Sequence, residues 1–192
     1  MDRIEQTYSV LTVSAADKFS ASLHTLLPEG QYDPVRAVRD AASARRLLLE
    51  QSFDIVIVNA PLPDEFGTQL ALELSETSGA GVLLLVKAEQ YAELSARLTP
   101  NGILTLQKPT TPQLLTQTLQ LLCGTRERLR RMEQKTASFE EKMAEIRLVN
   151  RAKCLLIERK AMTEQAHRWI EKQAMDRCVS RKVIAEQILL TI

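Results

Sequence analysis

The side chains able to do covalent or metal chemistry in this sequence are few and scattered. Cys123, Cys154 and Cys178 are its three cysteines, odd in number and too far apart to build a disulfide framework or a Cys-x-x-Cys metal site. That usage fits a reducing cytoplasm. His24 and His167 each lack a second ligand at metal spacing and are expected on the surface. The sequence has no Gly-rich phosphate loop, no His cluster and no nucleophile motif, so no catalytic residue, metal or cofactor is expected. What remains is charge. Residues 1–125 hold 9 Lys and Arg against 14 Asp and Glu, whereas residues 126–192 hold 16 against 10. A polyanionic partner would therefore be met by the C-terminal third; from charge alone, a solvated helix surface explains the excess as well.

The elements that must position these groups fall into two kinds. Up to residue 125, short β-rich runs at 10–13, 35–38, 55–58, 82–86 and 103–106 alternate with amphipathic stretches starting near Asp17, Ala41, Thr68, Glu89 and Gln113. Five repeats of strand then helix call for an α/β fold, a five-stranded parallel sheet covered on both faces. Right-handed crossovers make the flavodoxin-like order 2-1-3-4-5 the economical arrangement. The N-terminus is polar where a signal peptide needs an apolar stretch, and no apolar run reaches about 18 residues, so no membrane segment is expected.

Beyond Gln113 the composition turns helical, with no Pro after Pro112 and no Gly after Gly124. Leu115, Leu122, Leu129 and Met143 share one heptad register, and Met132, Phe139 and Ile146 fall three residues after its positions. Thr125 and Thr136 interrupt the seam. This pattern predicts a coiled-coil helix over 113–150 that joins a second copy of the chain, with docking on its own domain as the competing arrangement. After Lys160 the pattern restarts at two N-capping residues, Thr163 and Ser180, predicting helices over about 163–177 and 180–190. Residues 147–192 thus read as a small three-helix module. Trp169, spaced with Ala166, Ile170 and Ala174, is expected in or beside its core rather than as a base-stacking platform.

The run Asn59-Ala60-Pro61-Leu62-Pro63-Asp64-Glu65-Phe66-Gly67, with Lys108-Pro109 further on, resembles response-regulator receiver domains, which gives residues 1–124 a receiver-like reading. In that family an Asp stands where this chain has Asn59, two acidic residues stand at Ser14 and Ala15, and a hydroxyl residue stands at Val86. Only Lys108 keeps the family's residue. An amide is not a carboxylate nucleophile, and Mg2+ has little to bind without acidic ligands, so phosphorylation is not expected to switch this domain. Asp17 and Asp54 lie near these positions but are expected as a helix cap and a solvated start of the third strand.

Downstream, Asn150-Arg151-Ala152-Lys153-Cys154-Leu155-Leu156-Ile157-Glu158-Arg159, Thr163-Glu164-Gln165-Ala166, Gln173-Ala174-Met175-Asp176-Arg177 and Val183-Ile184-Ala185-Glu186 resemble the ANTAR family of transcription antitermination regulators. Cys154 replaces the Gly that usually follows the Ala-Lys pair. The resemblance implies binding of paired RNA stem-loops in a leader transcript, preventing an overlapping terminator hairpin. Lys153, Arg168, Lys172, Arg177, Arg181 and Lys182 are suited to phosphate contacts. The expected protein is a cytoplasmic, non-enzymatic, RNA-binding homodimer whose receiver-like domain could receive a sensor protein. The alternatives are a DNA-binding output module and a protein-interaction adaptor.

Overall fold

The computed structural model describes residues 7–160 and 165–191, and the side chains of residues 159 and 160 lie outside it. The capping role expected of Thr163 falls outside the described residues. The chain divides into two compact units, Met1–Arg130 and Arg131–Ile192.

The first unit runs β1 (Tyr8–Val13), α1 (Asp17–Leu26), β2 (Tyr32–Val38), α2 (Ala41–Glu50), β3 (Ile55–Asn59), α3 (Thr68–Thr77), β4 (Gly81–Lys87), α4 (Ala88–Leu98), β5 (Leu104–Lys108) and the start of α5 (Pro112–Lys160). All strand pairs are parallel, in the order β2-β1-β3-β4-β5. The fold is the expected flavodoxin-like one. Its central strands are buried on both sides, and their two-residue alternation sorts side chains between two cores. Val56 and Val58 of β3 and Leu84 and Val86 of β4 pack with α2, α3 and α4. Ile55, Ile57, Leu83 and Leu85 face the opposite way, against Leu23 of α1 and Leu115, Leu119 and Leu122 of α5.

Glycine is required at two places in this packing. Gly67, at φ 102°, opens α3, and a Cβ there would stand 2.8 Å from Cγ1 of Val58. Gly81 lets α5 approach β4, since a Cβ would meet Cδ2 of Leu122 at 3.0 Å.

Three expectations are corrected here. Leu122, assigned to a seam between subunits, is buried in its own domain, as is Leu115. Both therefore belong to the helix that covers the sheet. Asp54 is not a solvated strand start: it is 9% exposed and accepts from the Ser9 backbone N–H at 3.0 Å, the Ser9 hydroxyl at 3.0 Å, Arg130 at 2.7 Å and Arg126 Nε at 3.4 Å. Asp17 is the first residue of α1 rather than its cap, which is Ala16; its carboxylate favours the helix N-terminus and pairs with Arg39 at 3.2 Å in an exposed contact.

Asp54 gives the second core a polar edge. Its carboxylate ties β3 to β1 through Ser9 and to α5 through two arginines whose side chains are only 15% and 28% exposed. Removing one partner of such a group leaves charge poorly solvated. Asp54→Leu should therefore destabilise the first unit by about 2 kcal/mol or more. Urea denaturation of the full chain followed by circular dichroism checks this, and an unchanged first transition would show the pairing to be dispensable.

Candidate nucleic-acid interface and strand-end polar network

In an open parallel sheet, ligand chemistry gathers at the C-terminal ends of the strands. There Ser14 follows β1, Asn59 ends β3, Val86 is the penultimate residue of β4, and Lys108 ends β5. Asn59 Nδ2 donates to Ser14 Oγ at 2.9 Å, and Lys108 Nζ donates to Asn59 Oδ1 at 2.8 Å and to the Ala60 carbonyl. Ser14 Oγ also accepts from the Ala16 backbone N–H at 3.1 Å. Ala15 is exposed, and Val86 is fully buried. Asn59, Ser14 and Lys108 thus form a network of amide, hydroxyl and ammonium groups. Burial, followed by the charge of Lys87, holds the Lys108 ammonium below the usual lysine range.

The adjoining loop is held by carboxylates used structurally. Asp64 accepts from the backbone N–H groups of Ala41 and Ala42 at 3.0 and 2.9 Å, at the start of α2. These hydrogen bonds lower the Asp64 pKa below the usual carboxylate range. Glu65 accepts from the Leu70 N–H at 3.0 Å and pairs with Arg45 at 2.7 Å. Among the described residues, no group of three or more His, Cys, Asp or Glu could hold a metal ion.

The second unit contains the rest of α5, α6 (Gln165–Asp176) and α7 (Arg181–Thr191). Val149, Ala152 and Leu156 of α5 pack with Ala166, Ile170 and Ala174 of α6 and Ile184, Ala185 and Ile188 of α7. Alanine on each helix permits close approach. Cys154 is exposed while Ala152 is fully buried, so the cysteine does not lie in the packed seam. Between α6 and α7, Cys178 adopts φ 50° and the Val179 N–H returns to the Ala174 carbonyl at 3.0 Å. This is a helix stop of the kind usually made by glycine. Ser180 caps α7, accepting from the Val183 N–H at 3.4 Å.

The six basic residues do not converge on one patch. Lys153 and Arg181 line a groove of about 380 Å3 with Lys142, Ile146, Asn150 and His167. Arg181 also pairs with Glu171 at 3.5 Å and Glu145 at 3.7 Å, and Lys153 Nζ lies 3.4 Å from Asn150 Oδ1. Arg177 lines a separate groove of about 220 Å3 with Trp169, Gln173 and Gln187. Arg168 and Lys172 are exposed four residues apart on α6, and Lys182 is exposed in the first turn of α7. Sequence reasoning missed Lys142, which stands three helical turns before Lys153, and both glutamines. His167 is half-buried: Nε2 lies 3.2 Å from Glu171, and Nδ1 is shielded with no hydrogen-bond partner among the described residues. His24 is exposed in the last turn of α1. Trp169 packs partly against the module core, and the rest of its side chain lines the smaller groove. No helix among the described residues is long and apolar enough to cross a membrane.

Residues 131–142 of α5 are exposed throughout. Within the second unit Met132, Phe139 and Ile146 are 55%, 64% and 51% exposed, with Met143 intermediate. In the first unit, Leu129 is 39% exposed. These are the expected seam positions that remain after Leu115 and Leu122 are used by the sheet.

Residues 137–189 match the ANTAR domain. The chain is 28% identical over 171 residues to the transcriptional regulatory protein PdtaR of Mycobacterium tuberculosis, covering 88% of this chain and 83% of that protein. Among solved structures, the first unit resembles the receiver domain of an HD domain-containing protein from Pseudomonas fluorescens, with a TM-score of 0.60, 24% identity, and coverage of 68% of this chain and 97% of that one. The chemotaxis response regulator CheY4 of Vibrio cholerae superimposes with a TM-score of 0.54 at 22% identity, covering 61% and 99%. The first unit therefore has the receiver fold.

The network at the strand ends generates a direct expectation. Acetyl phosphate or beryllofluoride with Mg2+ should neither modify residue 59 nor change the oligomeric state, because the amide supplies no carboxylate nucleophile and the network no acidic metal ligand. Intact-mass and peptide mass spectrometry check it; a phosphoryl group on this unit would contradict it.

Proposed function

We propose that this chain, which carries an ANTAR domain behind a receiver-like fold, is a homodimeric transcription antitermination regulator that binds RNA. The observation carrying this reading is the ANTAR match on a module with a packed three-helix core. The surrounding sequence supports it: residues 131–192 hold 13 Lys and Arg against 9 Asp and Glu. In this reading, residues 1–124 form the receiver-like domain, 113–150 the dimerising helix and 147–192 the RNA-binding module. Two modules hold two hairpins of a leader transcript and so keep an overlapping terminator from forming. Lys153, Arg168, Lys172, Arg177, Arg181 and Lys182 supply phosphate contacts, with Arg181 limited by its carboxylate partners. The protein acts in the cytoplasm, as transcription requires, and not as an enzyme. A sensor protein docking on the receiver-like domain would replace control by aspartyl phosphorylation.

The dimer is argued from the bare stretch of α5. A helical segment exposed on all sides gains little from intrinsic propensity alone, whereas a partner helix would cover Leu129, Met132, Phe139, Met143 and Ile146. Met132→Glu with Phe139→Glu should convert the dimer to monomer while both folded units persist. Sedimentation measures this directly, and a wild-type chain that is monomeric at micromolar concentration would remove the dimer from the proposal.

Linking two modules raises the effective concentration for the second hairpin, so a hairpin pair should bind far more tightly than either hairpin alone. Binding should weaken steeply with salt as phosphate contacts release counterions. Gel-shift titrations against one hairpin, two hairpins and random duplex DNA test the reading. Equal affinity for all three would leave only a generic polyanion binder.

A further inference from the structure

The smaller groove of the second unit has a chemistry different from the basic residues around it. Trp169 and Gln173 reach it from α6, Gln187 and Ile184 from α7, and Arg177 follows the end of α6. Trp169 is half-buried, with part of its side chain on the module core and part lining the groove. Arg177 Nη1 donates to Gln187 Oε1 at 3.0 Å. That contact fixes the carboxamide: its oxygen faces the guanidinium and its amide nitrogen retains two hydrogens to donate. Gln173, one helical turn after Trp169, contributes a second carboxamide to the same groove.

We infer that this groove is a nucleobase-reading site, taking one unstacked base from a single-stranded RNA loop. The inference rests on the RNA-binding reading above and assigns the part of the module that reads sequence. An indole offers an apolar face on which any base can stack. Two carboxamides beside it can pair with the donors and acceptors of a base edge, which phosphate-binding lysines cannot distinguish. Arg177 adds positive charge to the groove, while Arg168, Lys172 and Lys182 lie outside it. At about 220 Å3 the space is below the usual range for drug-sized ligands, which favours a single planar ring system over a peptide helix. The bound base leaves the Gln187 amide nitrogen facing a carbonyl or ring-nitrogen acceptor.

Trp169 is the only tryptophan of the chain, so its fluorescence reports this groove alone. The probe is an RNA selected on the full-length protein from a pool of paired stem-loops with randomised loops. Binding should quench Trp169. An abasic nucleotide at one loop position should abolish the quench and weaken binding by 10-fold or more, whereas an abasic nucleotide elsewhere in the loop should leave the quench in place. Gln187→Ala and Gln173→Ala should each weaken the selected RNA while changing its preference at that same position. Gln187 is exposed and Gln173 partly exposed, and circular dichroism verifies that these variants stay folded. Trp169→Phe should keep most of the affinity, and Trp169→Leu should lose it. Unquenched binding, with Gln173→Ala and Gln187→Ala both matching wild type, overturns the groove assignment but leaves RNA binding standing. Failure of the selection to enrich any RNA overturns both.

Discussion

Asp54 stands where three elements must be held together: its carboxylate accepts from Ser9 on β1 and from Arg126 and Arg130 on α5 while its own residue leads into β3. The apolar side of the same attachment is made by Leu115, Leu119 and Leu122 on the sheet, with Leu122 admitted by the missing Cβ of Gly81. Area burial provides most of the stabilisation but has no direction. The ion pairs contribute direction, because a buried carboxylate penalises any helix rotation that removes its partners. Leu115, Leu119 and Leu122 are thereby committed to the sheet. The exposed seam residues of α5 begin at Leu129, where the helix leaves the sheet.

At the opposite end of the strands, a receiver-like fold carries an uncharged amide and a hydroxyl facing one lysine. A phosphorylatable pocket needs negative charge gathered around a cation; here Asn59, Ser14 and Lys108 satisfy one another by hydrogen bonds. Such a network stabilises one arrangement of the strand ends, since disrupting it would leave part-buried polar atoms unpaired. Asp64 and Glu65 fix the loop beside it to α2 and α3. Acidic side chains thus remain at this end of the domain, with structural partners.

The helical module follows a different economy. The last turns of α5 and two short helices share a core in which Ala152, Ala166, Ala174 and Ala185 allow close approach, leaving the longer polar side chains outside. This separates two kinds of surface. Lys142, Lys153 and Arg181 border one groove, and the indole and carboxamides border another. A nucleic-acid loop presents both phosphates and base edges, and side chains suited to each occupy different sides of the same small scaffold.

The sequence alone determined the strand order, the helical character after Gln113 and the presence of an amide, Asn59, at the end of the third strand, because these depend on local periodicity and on residue type. Ile55 and Val56 point to opposite cores as a direct result of the two-residue repeat. Pairing across long separations was decided only by the tertiary structure. Nothing near Asp54 in sequence announces Arg126 and Arg130, and a heptad repeat cannot tell whether Leu122 meets a partner helix or its own sheet, since both bury the same apolar face. The glycine-like turn at Cys178 was hidden because it is set by backbone hydrogen bonds, from the Cys178 and Val179 N–H groups back to the Met175 and Ala174 carbonyls, and not by residue type. Likewise, the sequence grouped the basic residues by charge, but only the packing of α6 against α7 put Trp169, Gln173 and Gln187 around one groove and left Arg168 outside it, because helix packing selects which face of each turn remains open.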